Sequence, residues 1–466
     1  MFVRLRCVQA PEAPAGSEDR AGTVRDIITV LYELSEYPHP YIRSANCQGM
    51  RELLLWYHRA YPPPKQWAAG EVVPLDPKIA QDVLDLTTLI LERMDDEDDL
   101  QCAATACDGL GEVLQKYGPV VLQQTMRVYD EQSKSAKEVP APAHLLFIIL
   151  RFLQEKAPCQ IPEDMGDDDT EGPLEIADHD GTLQESVSDL IAILAQVMGP
   201  GFEPGFRQMF PIMKRFMRPD KQAATKGMCI GAFAEVAHWM TQAMPAGADM
   251  STHVLVPYLP DLLAFCKAAL QDPSPLVRRN GAFCTGCIAR IAVPAMQAEY
   301  PALLQLLAGC YQAVSGPVDP AHGIVNGSVR DEEFLAARDN ACSAISKLIT
   351  TAPAACGQPM AQLIQLLLTP LPLQVDFKEA ESVYPAIMQL YRTHSADITP
   401  HTARVVEIFA QVFGHPDIDT ALQRELIAFC KALVEQAPQQ MEAVFKGLTP
   451  AQQAQFKRFV LDPAQA

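Results

Sequence analysis

The residues best placed to do chemistry in this sequence are carboxylates, and they are crowded. Glu163, Asp164, Asp167, Asp168, Asp169, Glu171, Glu175, Asp178 and Asp180 follow one another closely, and no lysine or arginine occurs between Lys156 and Arg207. A second run, Asp95, Asp96, Glu97, Asp98 and Asp99, precedes a helical pattern that starts near Leu100. Uncompensated carboxylates attract cations. Such a segment would raise the on-rate of a Lys-rich partner, and its hold would weaken with salt. The same composition also describes a solvating insertion between two helices, and Gly166, Gly172 and Gly181 speak against a rigid element there. Calcium is not indicated, because Asp167-Asp168-Asp169 lacks the ligand spacing of an EF-hand. In the second run, an acid at a helix N-terminus is favourable by about 0.3–1 kcal/mol. Capping therefore accounts for one or two of the five, and the others serve a solvated face or binding.

Other chemistries find no support. Cys284-Thr285-Gly286-Cys287 is a C-x-x-C, but it sits in an apolar helical run with no second pair and no nearby histidine. The ten histidines form no metal-ligand spacing, and there is no P-loop, no G-x-G-x-x-G after a strand and no G-x-S-x-G. We expect no catalytic residue, no metal and no cofactor. The thirteen cysteines are odd in number and scattered through apolar runs, as reduced core thiols are in an intracellular protein. Lys plus Arg is 37 against 57 for Asp plus Glu, a net charge of −20, which argues against nucleic-acid binding. The first residues hold no signal peptide, and the longest apolar stretch, Leu145 to Leu150, is too short to cross a bilayer.

The elements that must position these residues are helices. From Leu100, apolar residues fall at Leu100, Ala103, Cys107, Leu110, Leu114 and Tyr117, in steps of three and four, which is one face of an α-helix. Similar stripes recur along the chain, in pairs, with prolines between them, and strand patterns are missing. Opposite the stripe starting at Leu100 lie Asp108 and Glu112, which would extend the second acidic run into the face that the second helix of each pair lines. Trp239 shares a helical face with Glu235, beside a core stripe of Ile230, Phe233, Ala237 and Met240. A tryptophan next to a carboxylate could hold a lysine stem and its ammonium; it could equally be packing.

Three turn-to-helix junctions align: His39-Pro40-Tyr41-Ile42-Arg43, Asp272-Pro273-Ser274-Pro275-Leu276-Val277-Arg278-Arg279-Asn280, and Phe334-Leu335-Ala336-Ala337-Arg338-Asp339-Asn340. An arginine one turn into a helix can pair with the turn acid of the next repeat, and small residues let repeats pack closely. Asn280 and Asn340, at equivalent positions, could bond an extended peptide or tie neighbouring repeats together. This is the signature of HEAT repeats, roughly 40–47 residues each. The expected fold is all-α, a right-handed HEAT-repeat α-solenoid of antiparallel helix pairs. The expected divisions are a lead-in over 1–22, repeats over 23–160, an acidic loop over 161–184 and repeats over 185–466. Because the core lies inside each pair, a monomer is expected.

The run Met217-Arg218-Pro219-Asp220-Lys221-Gln222, the stretch Val277 to Gly286, Ala337-Arg338-Asp339-Asn340-Ala341-Cys342, and Leu371-Pro372-Leu373 before Asp376, Glu379 and Glu381 carry a resemblance. In order and spacing the chain resembles the C-terminal repeats of karyopherin-β (importin-β superfamily) nuclear transport receptors, of the importin-4 type. The resemblance implies a nuclear import receptor, not an enzyme, working between cytoplasm and nucleus through the nuclear pore. It implies basic cargo such as histones or ribosomal proteins, and contact with Phe-Gly nucleoporins. The small GTPase Ran would be a partner, but its main site in that family lies in N-terminal repeats that nothing here matches. Receptors of that family are expected to be about twice as long, which makes the chain a fragment or a truncated form. The rival reading is a HEAT-repeat scaffold or regulatory subunit that organises a complex without transport.

Overall fold

The computed structural model describes residues 18–130, 135–161, 174–245, 247–315 and 329–462. By their contacts these fall into two compact units, one reaching to Lys221 with Gln242–Ala246, the other made of Gln222–Thr241 and the chain from Gly247 onward.

The first unit is built from α1 (Glu18–Ser35), α2 (Pro40–Ala60), α3 (Ala80–Asp96), α4 (Leu100–Tyr117), α5 (Ala141–Leu153), α6 (Leu174–Met198) and α7 (Glu203–Met213). Successive helices pair as α1 with α2, α3 with α4 and α5 with α6. The first helices of the pairs then stack on one another as α1, α3, α5 and α7, and the second helices as α2, α4 and α6. Two layers of helices, each repeat touching its neighbours, is the arrangement expected of HEAT repeats. Helix α4 shows how the sequence dictates it. Asp99 caps its start by accepting from the Cys102 N–H at 2.8 Å. Ala103, Cys107, Leu110, Leu114 and Tyr117 are all buried, as their spacing requires.

Gly118 ends α4 with φ +68°, ψ −152°, a region that only glycine occupies readily, and a Cβ there would lie 2.5 Å from the Trp67 ring. Gly118→Ala is therefore expected to cost about 1–3 kcal/mol from backbone strain alone, and to push Trp67 outward. A lower melting temperature with red-shifted tryptophan emission would show both effects; an unchanged spectrum would mean that Trp67 accommodates the methyl group.

One departure from the all-helical reading is a hairpin, β1 (Thr125–Asp130) and β2 (Ser135–Pro140), antiparallel with Thr125 opposite Pro140. Its sequence hides it. Met126 is buried, but Ser135 to Glu138 are exposed, so the strands lack the alternation of a half-buried sheet. The termini of the expected divisions also differ. The helix α1 begins at Glu18, inside the expected lead-in, and α6 begins at Leu174, so Gly181 and its neighbours are helical. Glu163, Asp164, Asp167, Asp168, Asp169 and Glu171 lie outside the described residues, while Glu175, Asp178 and Asp180 fall on α6.

The second unit contains α8 (Ala223–Gln242), α9 (Leu259–Leu270), α10 (Pro275–Ala289), α11 (Tyr300–Ser315), α12 (Val329–Thr351), α13 (Met360–Leu368), α14 (Ala380–Thr393), α15 (Thr402–Val412), α16 (Thr420–Gln436), α17 (Pro438–Gly447) and α18 (Pro450–Phe456). Again α9 pairs with α10 and α11 with α12, and second helices stack on second helices: α10 on α12, α12 on α14. Close approach needs small residues. A Cβ on Gly281 would lie 2.6 Å from the Ala269 methyl, which is how near α10 comes to α9. All cysteines among the described residues are unpaired and buried, and Cys284 and Cys287 of the C-x-x-C are core thiols. Burial pushes the Cys287 thiol up to about 12, and Cys284, hydrogen-bonded to Cys266 and buried, is raised well above the ordinary thiol value.

Candidate partner-binding site

The Asp95–Asp99 run is mostly committed to holding repeats together. Arg43, on α2, places its guanidinium on Glu97 (Nε to Oε2, 3.0 Å) and on Asp98 (2.5 Å), and donates to the Pro38 carbonyl at 2.8 Å. Glu97 is 1% exposed and Arg43 7%, so this is a buried pair. Burial raises the Glu97 carboxyl, but the Arg43 hydrogen bonds with those of Cys102 and Asp99 outweigh it and bring it down to about 2. Asp95 accepts from Arg151 at 2.5 Å and faces His144 at 3.4 Å, and Asp99 is the cap of α4. Only Asp96 and the outer side of Asp98, whose side chain is 78% exposed, remain available to a partner. The expected arginine ladder is thus real at Arg43, and it consumes the acids that looked surplus.

The asparagines are also occupied. Asn280 donates its amide to the Gly227 carbonyl at 2.7 Å, and buried Asn340 donates to Ala336 O and to Asp376, both at 2.9 Å. Both tie elements together; Asn340 has both amide hydrogens engaged, and Asn280 one of its two. Trp239 is half-buried on α8, edge-on to the His238 ring at 4.8 Å, with Glu235 one turn before it and the stripe Ile230, Phe233, Ala237 and Met240 fully buried behind. The packing reading explains most of that face.

What remains is an acidic face in the first unit, on the layer formed by α2, α4 and α6. Asp108 is exposed on α4. Glu185 and Asp189, four residues apart and so on one face of α6, are exposed beside it. Asp189 keeps part of its surface in water but is crowded by its neighbours, and its carboxyl is raised first by the desolvation they cause, then by Glu185 and by Asp108. Among the described residues none of these three has an ion-pair partner. Glu112, one turn along α4, is joined at 3.1 Å to Arg51, which also holds Glu52 at 2.8 Å. Three carboxylates that repel one another, with no cation of their own, form a seat for an ammonium or guanidinium from outside, where charge repulsion is relieved on binding. Glu185 and Asp189 escaped the sequence reading. Their i, i+4 spacing inside a long stretch without a basic residue was the signal. Among the described residues no group of His, Cys, Asp and Glu could hold a metal ion, and no helix is long and apolar enough to cross a membrane.

Two-layer stacks of antiparallel helix pairs, arginine–acid ties between repeats and an acidic face define a HEAT-repeat protein. No family model matches the chain. It is 22% identical over 442 residues to importin-4 of Homo sapiens, covering 94% of this chain and 36% of that protein. It is 26% identical over 298 residues to the probable importin subunit beta-4 of Schizosaccharomyces pombe, covering 62% of this chain and 25% of that one. In fold it is similar to Kap121p bound to the extreme C-terminus of the protein phosphatase Cdc14p, with a TM-score of 0.62 at 14% identity, over 94% of this chain and 34% of that one. A second Kap121p structure, bound to Nup53p, matches with a TM-score of 0.59 over 91% of this chain and 35% of that one. In sequence the chain is similar to importin-4-type proteins over much of its length, and in fold to karyopherin structures. It spans about a quarter to a third of the length of these relatives, so the expected factor of two was too small.

Proposed function

We propose that the chain is a cargo-binding portion of a nuclear transport receptor. The observation that carries the proposal is the similarity to importin-4 along nearly the whole chain, 94% of it. The acidic face of Asp108, Glu185 and Asp189 gives the reading its mechanism: a Lys- or Arg-rich segment lies across α4 and α6, its charges replacing the missing counter-ions. Histone tails and ribosomal proteins are the cargo class this suits. Asp96, Asp98, Glu235 and Trp239 serve as secondary contacts. Kap121p has been crystallised bound to Nup53p and to RanGTP. By that analogy Phe-Gly nucleoporins and Ran are proposed partners of the whole receptor, which shuttles between cytoplasm and nucleus.

The test is a titration of a labelled Lys-rich histone-tail peptide at several salt concentrations, beside a Lys→Gln control. Binding is expected to weaken steadily with salt and to vanish in the control. Reversing the face with Asp108→Lys, Glu185→Lys and Asp189→Lys together is expected to weaken binding at least about tenfold, that is by about 1.4 kcal/mol or more. Peptide binding that ignores all three substitutions would remove the face from the proposal. Salt-independent binding to a folded partner would favour the scaffold reading instead.

A further inference from the structure

Of the three junction arginines, Arg43 has its acids and Arg338 lies 3.7 Å from its own neighbour Asp339, but Arg278 has no carboxylate. Its neighbour Arg279 reaches Asp376, in the turn before α14, at 2.7 Å. Instead the Arg278 guanidinium lies 5.1 Å from the centre of the Phe334 ring. Among the described residues no oxygen accepts from it. None of its nitrogens is a buried unsatisfied atom, so its donors face water. Arginine is an extravagant residue to leave in this state in a protein carrying −20.

Arg278 lines a cleft of about 450 Å³ with Leu270 and Gln271 at the end of α9, and with Ala302, Gln305, Leu306 and Gly309 on α11. A Cβ added to Gly309 would meet nothing within 4 Å, so the cleft is open over that residue. Gln305 is exposed at the rim, and Gln271 is anchored by donating to the Lys267 carbonyl at 2.8 Å. The Phe334 ring covers one side of the guanidinium, and its N–H groups have no protein acceptor among the described residues; a guanidinium matches a carboxylate by two parallel hydrogen bonds. Leucines and a bare glycine beside it suit an aliphatic side chain.

From this geometry we propose that the α9–α11 cleft binds a short segment of a partner in which a glutamate or aspartate is flanked by aliphatic residues, the carboxylate resting on Arg278. A single cation with two neutral amides suits a single carboxylate rather than a run of acids, which the surrounding negative charge repels. The site is chemically opposite to the acidic face and does not depend on it: the same molecule would hold a basic segment through one unit and an acidic–aliphatic one through the other.

The experiment is fluorescence anisotropy with a short labelled peptide, blocked at both ends, carrying one glutamate between leucines. The controls are the same peptide with glutamine in that place and an uncharged Phe-Gly peptide. The expected result is saturable binding of the glutamate peptide, at least about tenfold tighter than either control, since charge-assisted bidentate bonds are the strong ones. Arg278→Gln is expected to abolish that preference and Arg278→Lys to restore only part of it. Gly309→Leu, which fills open space and leaves Arg278 in place, is expected to block binding while the circular dichroism spectrum and melting curve stay as in the parent. Equal binding of the glutamate and glutamine peptides, or equal binding of the Phe-Gly peptide, overturns carboxylate recognition. Binding that survives both Arg278→Gln and Gly309→Leu overturns the cleft as its site. Because the histone-tail titration reads a different face with a peptide of opposite charge, either proposal can fail while the other stands.

Discussion

Replacing Glu97 with alanine is expected to destabilise the α2–α4 repeats by about 3–5 kcal/mol, the cost of leaving a buried arginine without its carboxylate. Arg43 cannot escape by losing its proton, and its position under the turn, bonded to the Tyr37 and Pro38 carbonyls, keeps it from swinging into water. Glu97→Gln keeps the shape and one acceptor and should lose less. The pH dependence has a definite sign. The folded-state Glu97 carboxyl lies at about 2, below its unfolded value, so its contribution is fully present above about pH 4–5 and fades as pH falls toward 2. The stability gap between the parent and Glu97→Gln should therefore narrow on acidification. Hydrogen-exchange protection of the α2, α3 and α4 amides is the measurement of choice, since a chain of two units need not melt in one step. A gap that stays constant from neutral pH to about pH 2 would mean that the pair contributes through packing rather than charge.

This pair also marks the boundary of what the residues alone disclose. The helix stripe over Leu100 to Tyr117 was legible because burial repeats every three to four residues, and local spacing is visible in a string. The fate of Asp95 to Asp99 was not, because the cation that claims Glu97 and Asp98 is Arg43, on another helix, and the one that claims Asp95 is Arg151, two helices on. Aligning the three junctions did foresee that an arginine there would meet a turn acid. It held for Arg43 and failed for Arg278, which lies against the Phe334 ring, while its neighbour Arg279 reaches Asp376 two repeats on. One-residue differences in which side chain reaches a turn depend on the rotation between neighbouring helices, and no local pattern records that. Glu185 and Asp189 were legible in principle. They were overshadowed by the denser acids upstream, which shows that the count of carboxylates is a poorer guide than the absence of cations around a few of them.

The other large effect is expected at Asp339. This residue, 1% exposed on α12, accepts with one oxygen from the backbone N–H groups of Gln374 (2.9 Å), Val375 (2.8 Å) and Asp376 (3.1 Å). It thereby fixes the turn that carries Asp376, whose carboxylate holds both Arg279 and Asn340. Asp339→Ala removes one acceptor and unfastens all of these, and we expect a loss of about 2–4 kcal/mol, with faster hydrogen exchange at residues 374–376. Asp339→Asn should lose less, because an amide oxygen can take the same N–H groups, although its NH₂ then faces Arg338. Here the pH dependence has the opposite sign to that of Glu97. Burial raises the Asp339 carboxyl in spite of the three N–H groups and Arg338, which pull it down. A raised carboxyl contributes stability that is fully present below its unfolded value and is lost as pH rises through the folded one. The deficit of Asp339→Asn relative to the parent should therefore be larger at acidic than at neutral pH, whereas that of Glu97→Gln shrinks. Two buried carboxylates in one chain, one in a turn and held by an arginine, the other on a helix and holding a turn, would then be told apart by the direction of their titration. A deficit for Asp339→Asn that instead grows from acidic to neutral pH would show that the three N–H groups outweigh burial and hold the carboxylate charged.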